Sequence, residues 1–427
     1  MTKTRVFIIA MAAALAAASP AFATNGDNLI GVGPIARAMG GVGVAAPQDS
    51  ISAVFANPAG MCFSSYCNAT TFDFAGTLFM PKVSARITTA GGTVSADSED
   101  TVYGIPAIGI SVPLSEPASA WRFGLAAYGV SGLGVDYRGT DIDNSGYYDF
   151  GEMGVYPLMQ GEYTSLQIMK FAPALAAQVT DKLSLGGAIH IDYASLDLRD
   201  GASPSYGYGF QLGAIFAPVD SVKLGASYTS AQTVNHRDIK DFMPFGSRDN
   251  LELEAPQQLN LGVACSLSTP ADILVEADVK WINWSDAKGY RDFDWRDQWV
   301  YALGVQAKPL KALTLRAGYN YGKNPVKTHN NFDGTNPAVN GRMVQGSYFP
   351  TYYYETFRII GFPAVVEQHI TFGAGIAITP KLTLNAGFMH AFEEKISETG
   401  TDLTGSPIAL ESTLSESSYD FGLTWTF

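Results

Sequence analysis

The last nine residues, Tyr419-Asp-Phe-Gly-Leu-Thr-Trp-Thr-Phe427, decide how this chain folds. Tyr419, Phe421, Leu423, Trp425 and Phe427 share one parity, and Asp420, Gly422, Thr424 and Thr426 share the other. Successive side chains of a strand point to opposite faces, so the segment predicts a strand with one apolar, aromatic face and one small, polar face. A face of the first kind must meet a core or lipid, because burial is where apolar surface gains free energy.

The same alternation recurs upstream. Leu313, Leu315, Ala317, Tyr319 and Tyr321 oppose Thr314, Arg316, Gly318 and Asn320, and Val275, Ala277, Val279 and Trp281 oppose Glu276, Asp278 and Lys280. Strand-like runs punctuated by turns lie near 69–81, 103–113, 121–130, 162–179, 183–197, 205–218, 222–236, 250–268, 272–285, 296–308, 312–323, 366–379, 381–395 and 413–427. Fourteen is an even number, as single-chain bacterial barrels require. Every second connection is short (115–117, 180–182, 218–221, 268–271, 309–311, 380–381). The others are longer and more polar (82–102, 131–161, 198–204, 237–249, 286–295, 324–365, 396–412). Tight periplasmic turns alternating with long outer loops produce that pattern. The expected fold is therefore all-β: a 14-stranded antiparallel transmembrane β-barrel, closed so that no strand edge is left unpaired in the membrane. Trp281, Trp284, Trp295, Trp299 and Tyr301 fall near strand ends, where interface girdles sit.

Composition agrees. The chain is 47% hydrophobic and 12% aromatic but only 16% charged, against about a quarter for a soluble chain. No stretch approaches the roughly 18 apolar residues of a spanning helix. The net charge of −13 argues against nucleic acid as a partner, which calls for basic stripes. Lys3 and Arg5 precede an apolar run from Val6 to Ala18, and Ala21-Phe-Ala23 is a small-x-small cleavage site, so residues 1–23 read as a secretory signal peptide. The compartment is oxidising, and Cys62 and Cys67 are close enough for a small-loop disulfide; a metal pair would lack a nearby His or third Cys. Cys265 falls on the apolar parity of its strand.

Residues 24–68 break the two-residue period. Gly31, Gly33, Gly40, Gly41, Gly43 and Gly60 crowd a stretch that also holds a short helical patch, Ser50-Ile-Ser-Ala-Val-Phe-Ala56, stopped by Asn57-Pro58. Too small to fold alone, this segment is best placed as a plug inside the polar lumen of a barrel formed by 69–427.

Gly31-Val-Gly-Pro-Ile-Ala-Arg-Ala-Met-Gly-Gly-Val-Gly-Val-Ala45, followed by Pro47-Gln-Asp-Ser50 and Asn57-Pro-Ala-Gly-Met61, closely resembles the hatch of the FadL family. Trp295-Arg-Asp-Gln-Trp299, Ala302-Leu-Gly304, Lys308-Pro309, Leu315-Arg-Ala-Gly-Tyr319 and Asn324-Pro325 extend the resemblance over nearly the whole mature chain. That family comprises outer-membrane transporters of long-chain fatty acids and, in the TodX-like branch, aromatic hydrocarbons. The resemblance implies capture of a hydrophobic small molecule among outer loops, passage to a lumen pocket, a hatch movement, and lateral release beside an inward kink in strand three. It also places Asn57, Pro58 and Ala59 at that gap, as gate residues. Gly129, Gly132 and Gly134 are the candidate kink, since glycine in a strand marks a bulge or bend. The third outer loop, 198–204, is far shorter than in fatty-acid members. Length goes instead to 131–161 and to 324–365, whose Phe349-Pro-Thr-Tyr-Tyr-Tyr-Glu-Thr-Phe357 is a candidate capture surface.

Other chemistry finds little support. His190 and Asp192 share an inward parity but have no serine partner, so lumen hydrogen bonding is the reading rather than catalysis. Arg316, Lys280 and His190 are candidate lumen contacts to a ligand; the alternative for Arg316 and Lys280 is a lattice with Glu276 and Asp278. No enzyme, cofactor or metal is expected. Expected partners are the ligand, outer-membrane lipid and lipopolysaccharide, and the barrel-assembly machinery through Phe427, with the chain a monomer. The competing reading is a porin or a surface receptor or adhesin barrel.

Overall fold

The computed structural model describes residues 24–63, 69–99, 101–114, 120–143, 146–149, 155–157, 159–240 and 249–427. The signal segment 1–23 and Cys67 lie outside the described residues.

Fourteen antiparallel strands form the wall: β1 Thr71–Thr89, β2 Tyr103–Pro113, β3 Trp121–Asp136, β4 Tyr163–Thr180, β5 Leu183–Asp197, β6 Ser203–Val219 and β7 Val222–Thr229, then β8 Gln258–Leu267, β9 Ile273–Ile282, β10 Gln298–Leu310, β11 Leu313–Gly322, β12 Gln368–Thr379, β13 Leu382–Thr401 and β14 Pro407–Thr426. Each pairs with its sequence neighbour, and β14 returns to β1 from Thr426↔Thr71 to Ile408↔Thr89. That last ladder closes the barrel and leaves no free edge to be satisfied in lipid. Within the decisive C-terminal stretch, Phe421 is 60% exposed whereas Asp420 is fully buried, so one parity faces outward and the other into the lumen. Leu259, Leu261 and Val263 on β8 point out, while Glu276, Asp278 and Lys280 on β9 are buried inside.

Several strands run farther out than the sequence reading, β3 to Asp136, β13 to Thr401 and β14 from Pro407, and two boundaries change the wall itself. β1 runs through Pro81 to Thr89 and folds back as Gly92–Asp97. Past Phe79 its β2 neighbour is gone, and from there to Ser84 it pairs only with β14. A proline is tolerated where one side of a strand has no ladder to feed. Similarly, 222–236 and 250–268 are not single strands. The wall stops at Thr229 and restarts at Gln258, and between them Gln232–Lys240 pairs with Asp249–Ala255 as a separate hairpin. Pro256 supplies no N–H to continue the ladder. The hairpin buries Val234, Ile239, Leu251 and Leu253 over the outer mouth.

Residues 24–63 sit within the barrel and are almost wholly buried. They hold two short helices, α1 Gly33–Arg37 and α2 Ser50–Ala56, and a tight turn over Pro58–Cys62. Asp49 caps α2 by accepting from Ser52 N at 2.6 Å, and Ser52 Oγ in turn accepts from the Asp49 N–H. Over the outer mouth, Trp284, Tyr290, Phe293 and Trp295 pack with Phe349, Tyr352, Tyr353, Tyr354 and Phe357. The second set belongs to a short helix, α3 Thr351–Thr356, and its flanks.

Candidate functional site

The plug is held by directional bonds from the inner face. Its only basic side chain, Arg37, is fully buried; Nε lies 2.9 Å from Asp420 Oδ1, Nη2 donates to Ser418 Oγ at 2.8 Å, and Nη1 donates to the Gly31 carbonyl. Glu276 Oε1 accepts from Ala45 N and Ala46 N at 2.7 and 2.9 Å. Asp278 Oδ2 accepts from Gly43 N and Val44 N at 2.9 and 3.2 Å. Lys280 Nζ donates to the Ile30 and Gly41 carbonyls, and Asn320 donates to the Gly40 carbonyl. An irregular segment has no ladder of its own, so the wall must satisfy its backbone. Gly40 and Gly41 adopt φ of +71° and +78°, and a Cβ on Gly41 would fall 2.1 Å from Ile30 O; this turn admits only glycine.

Asn57-Pro58-Ala59 is not beside strand three, as the resemblance implies. Asn57 Nδ2 donates to Val44 O at 2.7 Å, Ala214 O at 3.1 Å and Ala226 O at 3.2 Å, which seats the motif on β6 and β7. Ser184 Oγ of β5 donates to Ala59 O. The physical reason is a floor of missing side chains: a Cβ on Gly213 would lie 1.9 Å from Asn57 Oδ1, and one on Gly186 would lie 2.4 Å from Ala59 N.

The wall itself opens between β2 and β3. Their ladder ends at Ala107↔Tyr128, and β3 then shifts register between Gly129 and Ser131 and keeps β4 as its one neighbour in the wall. The plug touches this point, with Asn28 paired to Ser131. The wall is rejoined farther out, where Glu99 N donates to Asp136 O at 2.8 Å and Asp136 N to Ser98 Oγ at 2.9 Å. The result is a window bounded at both ends, crossed by the Ile105 and Tyr103 side chains. A Cβ on Gly129 would meet Ile105 Cγ2 at 2.5 Å, and one on Gly134 would meet Tyr103 Oη at 2.8 Å, while Gly132 faces open space.

Behind the window lies a cavity of about 70 Å³. Tyr128, Val130, Phe55, Leu29 and Ile282 supply apolar lining; Lys170, His190, Asn260, Asn25 and Asn28 supply polar lining. Lys170 Nζ lies 2.7 Å from Asp192 Oδ1 and also bonds Gln232 and, at 3.3 Å, His190 Nδ1. Of the three candidate lumen contacts, His190 and Lys280 meet here. Arg316 does not: it donates to Gln306 Oε1 and Asn385 Oδ1. Nor do Glu276 and Asp278 form a lattice with the two cations; their carboxylates turn to the plug's amides. Asp420 and Arg37 are the residues that sequence reasoning missed, although each is the lone charge of its kind in a distinctive segment.

The outer aromatic run is also placed differently. Phe349, Tyr352, Tyr353 and Tyr354 are fully buried, so they form the core of the cap rather than an exposed capture surface. Trp284 and Trp295 join that core, whereas Trp299 and Tyr301 are exposed as girdle residues are. Beneath the rings, distant positions converge on Arg358, which pairs with Glu355 and, at 3.0 Å, with Glu398 Oε1. His329 Nδ1 lies 2.9 Å from Glu355 Oε1. Sequence spacing shows no such cluster of His and acids; Arg358 occupies its centre. Burial pushes the Glu355 carboxyl up, but the His329 bond and the Arg358 guanidinium outweigh it and hold it below the ordinary range. A second apolar pocket opens here, lined by Leu196, Leu251, Leu253, Phe293, Trp295 and Phe357 among others.

A closed fourteen-stranded barrel with aromatic and aliphatic residues outward is an outer-membrane protein. The chain matches the family described as outer membrane protein transport protein (OMPP1/FadL/TodX) over residues 9–205 and 202–333. It belongs to that family. Its fold is similar to the toluene transporter TodX of P. putida, with a TM-score of 0.64 at 19% identity over 93% of this chain and 99% of that one. It is equally similar to a FadL homologue of Pseudomonas aeruginosa, with a TM-score of 0.64 at 15% identity over 95% and 99%. The toluene transporter TbuX of Ralstonia pickettii gives 0.59 at 16% identity over 93% and 98%. No protein of curated function matches the chain in sequence.

Proposed function

We propose that the protein carries small hydrophobic molecules through the outer mouth into the lumen cavity and releases them sideways, between β2 and β3, into the membrane. One observation carries this reading: Tyr128 and Val130 line the cavity and also stand where the two strands part. A greasy molecule crosses the hydrated sugars of lipopolysaccharide poorly but enters hydrocarbon at a gain of roughly 0.8 kcal/mol per buried CH₂. The protein need only bring it past the sugars. The apolar pocket under the cap is the first resting place. The plug, residues 24–68 as a unit, shifts to open the way, with Asn57-Pro58-Ala59 as its seat on β5–β7 rather than its gate. Relatives of this fold include a toluene transporter and a monoaromatic hydrocarbon channel, and a compact cavity suits such ligands better than an extended acyl chain. A plug fastened by this many bonds disfavours the porin reading.

The test is to staple the window. A Cβ on Gly129 would lie 3.8 Å from Ile105 Cβ, inside the range of about 3.5–4.5 Å that a disulfide spans. The double variant Ile105→Cys/Gly129→Cys should lose toluene uptake by outer-membrane vesicles when oxidised and regain it with reductant, while the parent is indifferent to both. Undiminished uptake in the oxidised, correctly assembled variant rules out sideways release.

A further inference from the structure

The lumen cavity holds more polar capacity than a hydrocarbon needs. Asn25 Oδ1, Asn260 Oδ1 and Asn28 Nδ2 line or border it with no hydrogen-bond partner, and His190 Nε2 has none of good geometry, Gln211 and Gln232 being its polar neighbours. Asn25, Asn260 and His190 are at least nine-tenths buried. Buried polar atoms are costly to leave unmade, at about 1–3 kcal/mol each, so their grouping at one cavity points to something that they bind. Their chemistry can be read. The Lys170 ammonium only donates, so His190 Nδ1 at 3.3 Å is the acceptor and the ring proton sits on Nε2. His190 thus offers a donor, as does Asn28 Nδ2, while Asn25 and Asn260 offer acceptors through Oδ1, the Asn260 Nδ2 being spent on Ser227 Oγ.

Charge decides against an anion. Lys170 spends its three N–H groups on Asp192, Gln232 and His190, and Lys280 spends two on plug carbonyls. Asp192 faces Lys170, Asp278 and Glu276 face Lys280, and Lys223 also faces Glu276, so three carboxylates stand against three ammoniums. A ligand carboxylate would enter a field with no surplus positive charge. A neutral hydroxyl both donates and accepts, which is the pattern that the free atoms complement. Tyr128, Phe55 and Val130 supply an apolar wall for a ring. The volume of about 70 Å³ is room for roughly five waters at about 10–15 Å³ each, which sets a compact ligand.

We propose that this cavity selects small hydroxylated aromatics, a phenol rather than a hydrocarbon or a carboxylate, through His190, Asn260 and Asn25. The inference rests on the reading of the protein as a hydrophobic-compound channel and names which molecules it favours. Equilibrium dialysis of the purified full-length protein in detergent, against an unrelated barrel that corrects for partition into micelles, compares toluene, 4-methylphenol and 4-methylbenzoate at pH 7. The methylphenol should bind roughly tenfold tighter than toluene, the equivalent of about 1.4 kcal/mol, and tighter than the benzoate. In His190→Phe and, separately, Asn260→Leu, the ratio of methylphenol to toluene affinity should fall toward one; two variants guard against misassembly of either. Equal affinities in the parent, the benzoate binding tightest, binding of none of the three, or a ratio that survives both substitutions each overturns the proposal. All of these outcomes leave the stapling experiment intact, because that reads the exit path and not the preference.

Discussion

Inside the barrel, residues 24–63 meet the wall through charged and amide groups: Arg37 to Asp420, Ala45 and Ala46 to Glu276, Gly43 and Val44 to Asp278. Over the outer mouth, the cap meets itself through rings, with Trp284, Tyr290 and Trp295 in mutual contact at centroid distances of 4.6 to 5.0 Å. The two regions touch where Tyr290 donates to Asp27. Directional bonds vanish over a short displacement and re-form in register, whereas ring packing falls apart only when whole side chains leave one another. On the release path proposed above, the contrast fits a plug that moves beneath a stiffer vestibule.

The largest expected effect lies in the plug. Arg37→Ala leaves Asp420 charged, buried and unpaired, a loss of about 3–5 kcal/mol by the usual cost of breaking a buried pair. Amide hydrogen exchange should accelerate across 31–46 and stay slow in the cap; uniform acceleration in both would erase the distinction. Next comes the cap. Tyr353→Ala removes a fully buried ring, at about 3 kcal/mol, and should raise protease sensitivity of the 324–365 loop without changing exchange in the plug. Smaller again is Gly213→Ala, which pushes a methyl into Asn57 and should cost about 1–3 kcal/mol as overpacking. A lowered melting temperature with an intact wall ladder is the expected result.

The mildest perturbation is acid. Glu355 has its carboxyl held below the ordinary range, so its contribution is present above the unfolded value and is lost as pH falls through the folded one. The Glu355 contribution to protease resistance of the cap should therefore be lost as pH falls below ~4. A cap that loosens at neutral pH instead would point to a group other than Glu355.

How much of this was legible beforehand depends on range. Strands β5, β9 and β11 fall within a few residues of their sequence limits because alternation is a local property that each strand carries alone. Nothing local shows that β1 continues past Pro81 or that β7 ends before the hairpin, since both boundaries depend on whether a neighbouring strand is present. Gly129, Gly132 and Gly134 stand out in the sequence as glycines in a strand. That the ladder to β2 stops at Tyr128 is a fact about two strands, which no single segment states. The aromatic run at 349–357 read as a surface because its burial comes from Trp284, Tyr290 and Phe293, some sixty residues away in sequence.

By itself, then, the sequence determined the class of fold, the strand count and which face of each strand meets lipid, because period-two patterning and turn chemistry act over a few residues. Tertiary structure alone decided where Asn57 sits, that Arg37 finds Asp420, and that His190, Asn260 and Asn25 line one cavity. Those contacts join positions tens to hundreds of residues apart, and only closure of the barrel around its plug brings their polar atoms within bonding distance.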